Sequence, residues 1–279
     1  MIGLLSSFHF KQGFLTDTRT EMVKTPFGDV RATIGMMGGR ETASVQRYGP
    51  NMYTPSHKIN HRANIWAFKM LGVERIISQN AIGSINAMLR PGDIVIPHDF
   101  IDHTHARPHS LYDGEECWVR IDMTEPFCPD MRQTLITAAR GFSDRVIDRG
   151  VFVCFEGPRF ETPTEIRMFQ LLGGDIVGTP LVPEVVFARE AELCYASISG
   201  IINYGAGLSP AVVHVGDGSM FDFYLRSGLQ EQIEKATIAS LDLLPAERTC
   251  PCATALDQAF HGTEPAWLKP YRRAKVETA

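Results

Sequence analysis

Short apolar runs recur along most of the chain, each bounded by glycine, proline or polar residues. Runs of this length that are rich in β-branched residues are typical of buried strands. We also expect a hairpin over residues 22–37, because Gly28 stands between two β-branched segments. The other predicted strands are residues 2–5, 76–79, 93–97, 151–155 and 195–202.

Helical periodicity appears between these strands. Residues 57–71 carry apolar side chains three and four apart and end at Gly72, residues 130–139 are amphipathic, and a helix from about 221 to 244 stops at Pro245. Alternation of strands and helices predicts an α/β fold with a mixed, twisted central sheet flanked by helices. We assign one domain to residues 1–247 and a tail containing Cys-Pro-Cys to residues 248–279.

Two segments of small and polar residues follow predicted strands. Asn80, Ala81 and Gly83 belong to a turn after residues 76–79, and open α/β sheets place ligands beside such turns because backbone N–H groups are free there. Ser6 and Ser7 follow the first strand. They are either hydroxyl donors to an anion or turn residues.

The stretch 151–207 is the strongest candidate for a ligand pocket. Phe160 and Glu161 lie in a loop after strand 151–155, where an aromatic ring stacks on a flat ligand and a carboxylate accepts from a ring N–H. Asn203 follows strand 195–202 and offers both a donor and an acceptor. The alternatives are a core position for Phe160 and a turn position for Asn203. Together these residues predict a pocket for a flat heterocycle.

Composition narrows the class of partner. The formal charge is −5 with a pI near 6.0, and no cluster of Lys and Arg is interleaved with aromatic residues, so nucleic acid is not an expected partner. No apolar run approaches the roughly 18 residues of a membrane span, and the N-terminus has no basic region or cleavage site of a signal peptide. We expect a cytoplasmic protein that binds small molecules and not membranes.

Metal binding is not expected from the cysteines or histidines. Cys117, Cys128, Cys154 and Cys194 are far apart in the sequence and are predicted to be buried thiols, whereas Cys250 and Cys252 form Cys-Pro-Cys with no second pair at zinc-finger spacing. Three histidines at 103, 105 and 109 invite a metal hypothesis. A polar loop at a subunit interface explains them equally well.

Several motifs, in order, resemble the trimeric family of purine nucleoside phosphorylases and methylthioadenosine phosphorylases. They cover about two thirds of the chain, and the Cys-Pro-Cys tail resembles one found in some methylthioadenosine phosphorylases. The motifs are INHRANIWAFKMLG, NAIGSIN, PGDIVIPHDFID, MTEPFCP and GPRFETPTEIRMFQLLGGDIVGTPLVPEVVFARE.

The resemblance implies cleavage of the N-glycosidic bond of a purine nucleoside by inorganic phosphate, a co-substrate, with no cofactor. Asn203 stands where the family recognises N7 and the 6-substituent, and Asn at this place is typical of 6-oxopurine enzymes. Glu161 stands where those enzymes accept from N1–H, a proton that adenine lacks. Phe160 is expected to stack on the base. The resemblance therefore favours a 6-oxopurine as the base of a nucleoside or 5′-methylthio nucleoside.

The phosphate side departs from the family pattern. Arg47 matches the phosphate arginine and Ala81 supplies a matching N–H, but Tyr48 replaces a His and Asn80 takes a place often held by Thr. Gly3-Leu4-Leu5-Ser6 replaces the phosphate loop, which leaves Ser6 as the hydroxyl there.

A second departure lies inside the long signature. Thr179-Pro180 replaces a Met-Ser/Thr pair that contacts ribose and phosphate, and Pro180 has neither a hydroxyl nor an N–H. Because the losses concentrate on the anion side, two alternatives stay open: a catalytically impaired homologue that binds planar aromatic ligands, and a nucleoside hydrolase that uses water.

The remaining assignments also come from the resemblance. Members of this family are trimers whose sites borrow residues from a neighbouring subunit, so a homotrimer is expected, with Arg120 in the place of a His that the neighbour supplies. Gly83 and Thr179 are assigned to the substrate. Met220 belongs to the same set and lies in an expected lid at residues 215–221.

Overall fold

The computed structural model describes residues 1–10, 13–113, 117–209 and 219–271, with only the backbone described for residues 219–221. Within these ranges no helix combines the length and the apolar content that crossing a membrane requires. The predicted lid at residues 215–221 lies largely outside the described residues. Met220 is the second residue of a helix, and its side chain is outside them.

The described strands alternate with helices. The strands are β1 (Ile2–Ser6), β2 (Thr16–Thr25), β3 (Gly28–Met37), β4 (Arg40–Gln46), β5 (Arg75–Ser84), β6 (Ile94–Val95), β7 (Asp99–His103), β8 (Cys117–Val119), β9 (Val146–Ile147), β10 (Val151–Phe155), β11 (Ile176–Gly178), β12 (Cys194–Tyr204) and β13 (Phe260–Gly262). The helices are α1 (His61–Met70), α2 (Pro129–Ala139), α3 (Pro163–Leu171), α4 (Leu181–Glu190), α5 (Ser219–Arg226) and α6 (Leu229–Leu243).

One mixed sheet organises the fold and confirms the predicted α/β class. Its path runs β2-β3-β4-β1-β5-β11-β10-β7, with β12 paired to β5 and β6, and β9 paired to β6. The predicted hairpin with its turn at Gly28 is present as β2 and β3. Strands β8 and β13 form a separate pair.

Strand β5 is the centre of the sheet and is buried along almost its whole length. It pairs with β1 only as far as Gln79, which lies opposite Ser6, and with β11 only from Gly83 onward. Between these points residues 80–82 are paired on one edge with β12. An unpaired strand edge presents backbone donors and acceptors to a ligand. The sheet therefore has an opening at the predicted site.

The prediction of a turn at residues 80–84 is wrong, because β5 continues through them. Their small side chains instead allow β11 and β12 to pack closely on both sides of β5. A Cβ on Gly83 would lie 3.3 Å from Val177 Cγ1 on β11 and 3.4 Å from Asn203 Nδ2 on β12. Small residues here permit close approach of neighbouring strands.

Two other elements differ from expectation. Asn203 lies inside β12 and not after it. The long helix predicted from 221 to 244 is two helices, separated at Gly228, whose φ of 85° is a conformation that glycine adopts readily.

The histidine-rich segment begins as a strand and not as a loop. Residues 99–103 form β7, which pairs in parallel with β10. The rings of His103 and His105 lie 5.0 Å apart, and His103 also contacts Phe169. Within the described ranges, none of these histidines belongs to a group of three ligands close enough to share an ion.

The segment after residue 247 packs on the core. Its strand β13 pairs with β8, and the ring of Trp267 lies 4.8 Å from that of Trp66 on α1. Cys128 and Cys194 are buried thiols, as predicted. Although they are far apart in the sequence, both meet Cys250 and Cys252 in one buried group.

Candidate active site

The base side of the site begins with Asn203 on β12. It lies opposite Gly83 of β5, next to a register shift between Ile201 and Asn203. Its Nδ2 donates to the carbonyl of Tyr204 at 2.8 Å. The other Nδ2 hydrogen and Oδ1 therefore provide the donor and acceptor that a purine edge requires.

The loop between β10 and α3 carries Phe160 and Glu161, and a capping box at the start of α3 holds it in place. Thr162 Oγ1 accepts from the N–H of Glu165, while Glu165 Oε2 accepts from the N–H of Thr162. Arg159 also donates to both oxygens of Glu165. The two predicted base residues thus precede a firmly capped helix.

Phe160 and Glu161 differ in exposure from typical core residues. Phe160 is 37 % exposed, so the alternative of a core position is not met. Burial raises the pKa of the half-buried Glu161 carboxyl above its ordinary value. An exposed ring beside a partly desolvated carboxyl suits a flat ligand that carries an N–H donor.

Two glycines after Asn203 pack against the start of α3, which follows Glu161. A Cβ on Gly207 would lie 2.8 Å from Pro163 Cβ, and one on Gly205 would lie 2.9 Å from Ile166 Cδ1. The chain after Asn203 therefore packs directly on the first turns of α3. The structure brings the two predicted base-recognition segments together.

The phosphate side is centred on Arg47, which is fully buried. A guanidinium has five N–H donors, and the structure gives each one an acceptor. The acceptors are Glu184 Oε1 for Nε (2.5 Å), Ser7 Oγ and the Gln79 carbonyl for Nη1 (3.1 and 3.2 Å), and Ser78 Oγ and Glu184 Oε2 for Nη2 (2.7 and 3.0 Å).

Glu184 on α4 is a residue that sequence reasoning missed. Burial opposes its charge, but attraction to Arg47 outweighs burial and lowers the pKa of Glu184 to about 2. Tyr195 Oη donates to Oε2 at 2.9 Å, and His61 Nδ1 lies 3.4 Å from Oε1. Burial lowers the pKa of His61 below its ordinary value. Glu184 is therefore an ionised partner that holds the Arg47 fork in place.

Tyr48 and Thr179 come together although they are far apart in sequence. Their hydroxyls lie 3.0 Å from each other. Burial raises the pKa of Tyr48, so its phenol is neutral at physiological pH. Pro180 next to Thr179 is the N-cap residue of α4 and provides no N–H there.

Ser6 and Asn80 point their polar groups toward the protein. Ser6 Oγ donates to the carbonyl of Phe8 at 2.6 Å, and Asn80 Nδ2 donates to Ser197 Oγ at 2.8 Å. The Ser7 hydroxyl accepts from the Arg47 guanidinium, whereas Ser6 contacts Arg47 through its backbone carbonyl, which accepts from the Arg47 N–H at 3.3 Å. Ala81 lies in the part of β5 that pairs with β12 but has no partner in β1 or β11.

Arg107 is a second residue that the sequence did not single out. It is buried and donates to the carbonyls of Thr179 (2.6 Å), Val182 and Glu156 (3.0 Å). Its contacts tie the end of β10 to the start of α4. The histidines at 103, 105 and 109 had drawn attention to this segment, but as a metal hypothesis.

Arg120 lies away from these residues. Its guanidinium stacks over the Trp118 ring at 5.0 Å, and its backbone N–H donates to the carbonyl of Ala259. Its predicted role across a subunit interface stays a prediction. A cleft of about 740 Å³ lies on the β3–β4 side and borders Arg47, Gln46 and Lys58, but Phe160, Glu161 and Asn203 do not line it.

Comparison with known proteins decides the family. The model of the phosphorylase superfamily matches residues 8–231. This chain belongs to the phosphorylase superfamily. A 6-oxopurine nucleoside phosphorylase of Pyrococcus furiosus is 46% identical over 247 residues, which cover 86% of this chain and 92% of that protein.

Two further proteins are similar to this chain over most of its length. A probable S-methyl-5′-thioinosine phosphorylase of Methanopyrus kandleri is 42% identical over 259 residues, covering 92% of this superfamily member and 98% of that protein. A solved methylthioadenosine phosphorylase from an antarctic soil metagenomic library superposes with a TM-score of 0.86 at 27% identity, covering 98% of this chain and 94% of that one. The family resemblance found in the sequence is thereby confirmed.

Proposed function

We propose that this phosphorylase superfamily member cleaves 6-oxopurine nucleosides, or their 5′-methylthio analogues, with inorganic phosphate. The products are the free base and a ribose 1-phosphate or its methylthio derivative. The observation that carries the proposal is that the segment after Asn203 packs through Gly207 on Pro163, the first residue of the helix that follows Glu161. Relatives named for 6-oxopurine and methylthioinosine substrates support the same class.

The chemistry follows from the base. A 6-oxopurine has a hydrogen on N1, which the Glu161 carboxylate accepts, while the free Nδ2 hydrogen of Asn203 donates to the acceptor edge formed by N7 and the 6-oxygen. Negative charge builds on the purine as the glycosidic bond breaks, so a donor at N7 stabilises the transition state more than the ground state. Asn203 is the residue assigned to this role, and Phe160 stacks on the ring.

Every N–H donor of the Arg47 guanidinium already has an acceptor in the protein, so phosphate must displace one of these acceptors. The Nη1 atom has only neutral acceptors, the Ser7 hydroxyl and the Gln79 carbonyl, whereas Nε and Nη2 are held by the Glu184 carboxylate. An anion forms stronger hydrogen bonds than a neutral acceptor. We therefore assign Nη1, with the Ala81 edge of β5, Ser6, Asn80 and the Tyr48–Thr179 pair nearby, as the phosphate subsite.

The same saturation favours a second candidate, a homologue that binds planar aromatic ligands without efficient phosphorolysis. A nucleoside hydrolase is a third candidate function, because water can occupy a phosphate subsite that does not bind phosphate. These candidates differ in their products. Ribose 1-phosphate identifies phosphorolysis, free ribose identifies hydrolysis, and tight binding with no product identifies the impaired homologue.

Quaternary structure is part of the proposal. A homotrimer would bring Arg120 to a neighbouring site, and Met220, Gly83 and Thr179 would complete the sugar side. Light scattering of the purified protein gives the oligomeric state. Arg120→Ala is expected to raise the KM for the nucleoside and to leave the oligomeric state unchanged. Cytoplasmic location stays a prediction.

The experiment for the base assignment compares inosine, 5′-methylthioinosine, adenosine and methylthioadenosine at saturating phosphate. We expect the two 6-oxo substrates to have the higher kcat/KM. Asn203→Asp is expected to reduce this preference, and Asn51→Asp, at an exposed asparagine, is the matched control. A preference for 6-amino substrates in the unaltered protein would overturn the base assignment.

A further inference from the structure

Four cysteines from three distant parts of the chain meet at one buried point. Cys128 is the N-cap residue of α2, Cys194 is the first residue of β12, and Cys250 and Cys252 flank Pro251. Their four Sγ atoms all lie within 4.8 Å of one another. Those of Cys194 and Cys250 are 3.4 Å apart.

These distances suit a single tetrahedral ion. Zinc binds thiolate sulfur at about 2.3 Å, so four sulfurs around one ion are separated by about 3.8 Å. A structural zinc site has four protein ligands and no open position, and four converging thiols provide that set. Two separate disulfides require only that the sulfurs approach in pairs.

The protein backbone holds the four positions independently of any ion. The N–H of Cys128 donates to the carbonyl of Tyr195, and the N–H of Cys194 donates to the carbonyl of Glu74, both at 2.9 Å. The short helical turn Pro251–Thr254 presents the Cys-Pro-Cys pair. The ligands are therefore anchored by sheet and helix contacts, as a rigid metal site requires.

The surroundings also favour thiolate. Arg189 is buried, and its Nη1 lies 3.5 Å from Cys252 Sγ, in position to donate to it. Four thiolates around Zn²⁺ carry a net charge of −2, and an adjacent guanidinium offsets part of it. Arg189 also donates through Nε to the carbonyl of Asp122 at 3.3 Å, which holds the guanidinium in place.

We propose that Cys128, Cys194, Cys250 and Cys252 form a structural zinc site that fastens the segment after residue 247 to the core. Binding releases the four thiol protons and leaves the sulfurs as ligands. The site lies at the start of β12, whereas Asn203 lies at its other end. It is a structural site, distinct from the proposed base pocket, and revises the sequence-based expectation of no metal.

The test measures zinc in protein purified under reducing conditions without a chelator and then passed through a desalting column. About one zinc per chain is expected for the unaltered protein and for Cys117→Ser, which alters a buried cysteine outside the group. Cys250→Ser with Cys252→Ser is expected to retain less than about a tenth of that amount.

Two further readouts do not depend on the variant folding. Cobalt added to the unaltered, metal-free protein is expected to give the strong visible absorption of tetrahedral thiolate coordination. Thiol counts on the denatured protein identify the alternative chemistry. The proposal is overturned if the reduced protein binds neither zinc nor cobalt, or if these four cysteines are isolated as two disulfides.

Discussion

Arg47 and Glu184 form a buried two-point ion pair although 137 residues separate them. Arg47 Nε donates to Oε1 at 2.5 Å and Nη2 donates to Oε2 at 3.0 Å. A fork of this kind leaves one guanidinium nitrogen, Nη1, facing only neutral acceptors. The pair therefore orients Arg47 and determines which of its atoms can turn to an anion.

Glu184→Gln is expected to destabilise the protein by about 3–5 kcal/mol, because it leaves the buried Arg47 charge without a counterion. Urea unfolding measures the change. Glu231→Gln, which alters a half-exposed carboxylate paired with Lys235 on α6, is the control and is expected to cost less than about 1 kcal/mol. Equal losses in both variants would show that the pair has no special role.

The free energy of unfolding is expected to fall as pH rises, because the carboxyl of Glu190 is buried. Burial raises its pKa from 4.5 to about 7, although the Leu111 N–H and Ser110 hydroxyl donate to it. The folded state then holds a proton that the unfolded state has released, so stability is full below about pH 4.5 and declines toward about pH 7 by about 3 kcal/mol. Glu190→Gln is expected to flatten this decline, as followed by urea unfolding across the range. An unchanged slope would assign it to other groups.

Glu161→Gln is expected to lower kcat/KM for inosine by about 10- to 150-fold, since a charge-assisted hydrogen bond is worth about 1.5–3 kcal/mol. Any turnover of adenosine should change much less, because adenine has no N1 hydrogen to donate. The raised pKa of Glu161 adds a pH signature: kcat/KM for inosine should fall in acid with a midpoint above 4.5. Equal losses on both substrates would contradict N1–H recognition.

Thr162→Ala removes the side-chain half of the α3 capping box and is expected to cost about 1 kcal/mol of stability. Because Phe160 and Glu161 precede this cap, the KM for the nucleoside should rise more than kcat falls. Thr162→Ser retains the hydroxyl and is expected to restore both values. Unfolding curves and initial rates on the three proteins provide the comparison, and failure of the serine variant to recover would count against positioning by the cap.

Sequence patterns predicted the elements whose cause is local. The apolar runs of β1, β10 and β12 depend on neighbouring residues, so the sequence predicted these strands. Gly83 and Ser84 are typical of a turn, yet β5 continues through them because it pairs with β11 and β12. The local sequence does not indicate this pairing.

Long-range partners explain the rest. Family motifs singled out Glu161 and Asn203 as candidates. The role of Glu184 depends on its ion pair with Arg47, which is distant in the sequence. The four cysteines likewise form one group because α2, β12 and the segment after residue 247 end at the same place. A pairing that depends on tertiary structure leaves no spacing signal in the chain.

Product analysis with inosine distinguishes phosphorolysis from hydrolysis and from binding without turnover. The purified protein is assayed with and without phosphate, and hypoxanthine, ribose and ribose 1-phosphate are quantified together. We expect hypoxanthine release that depends on phosphate, with ribose 1-phosphate in equal amount. Release of free ribose at the same rate without phosphate, or no turnover of any purine nucleoside, would contradict phosphorolysis.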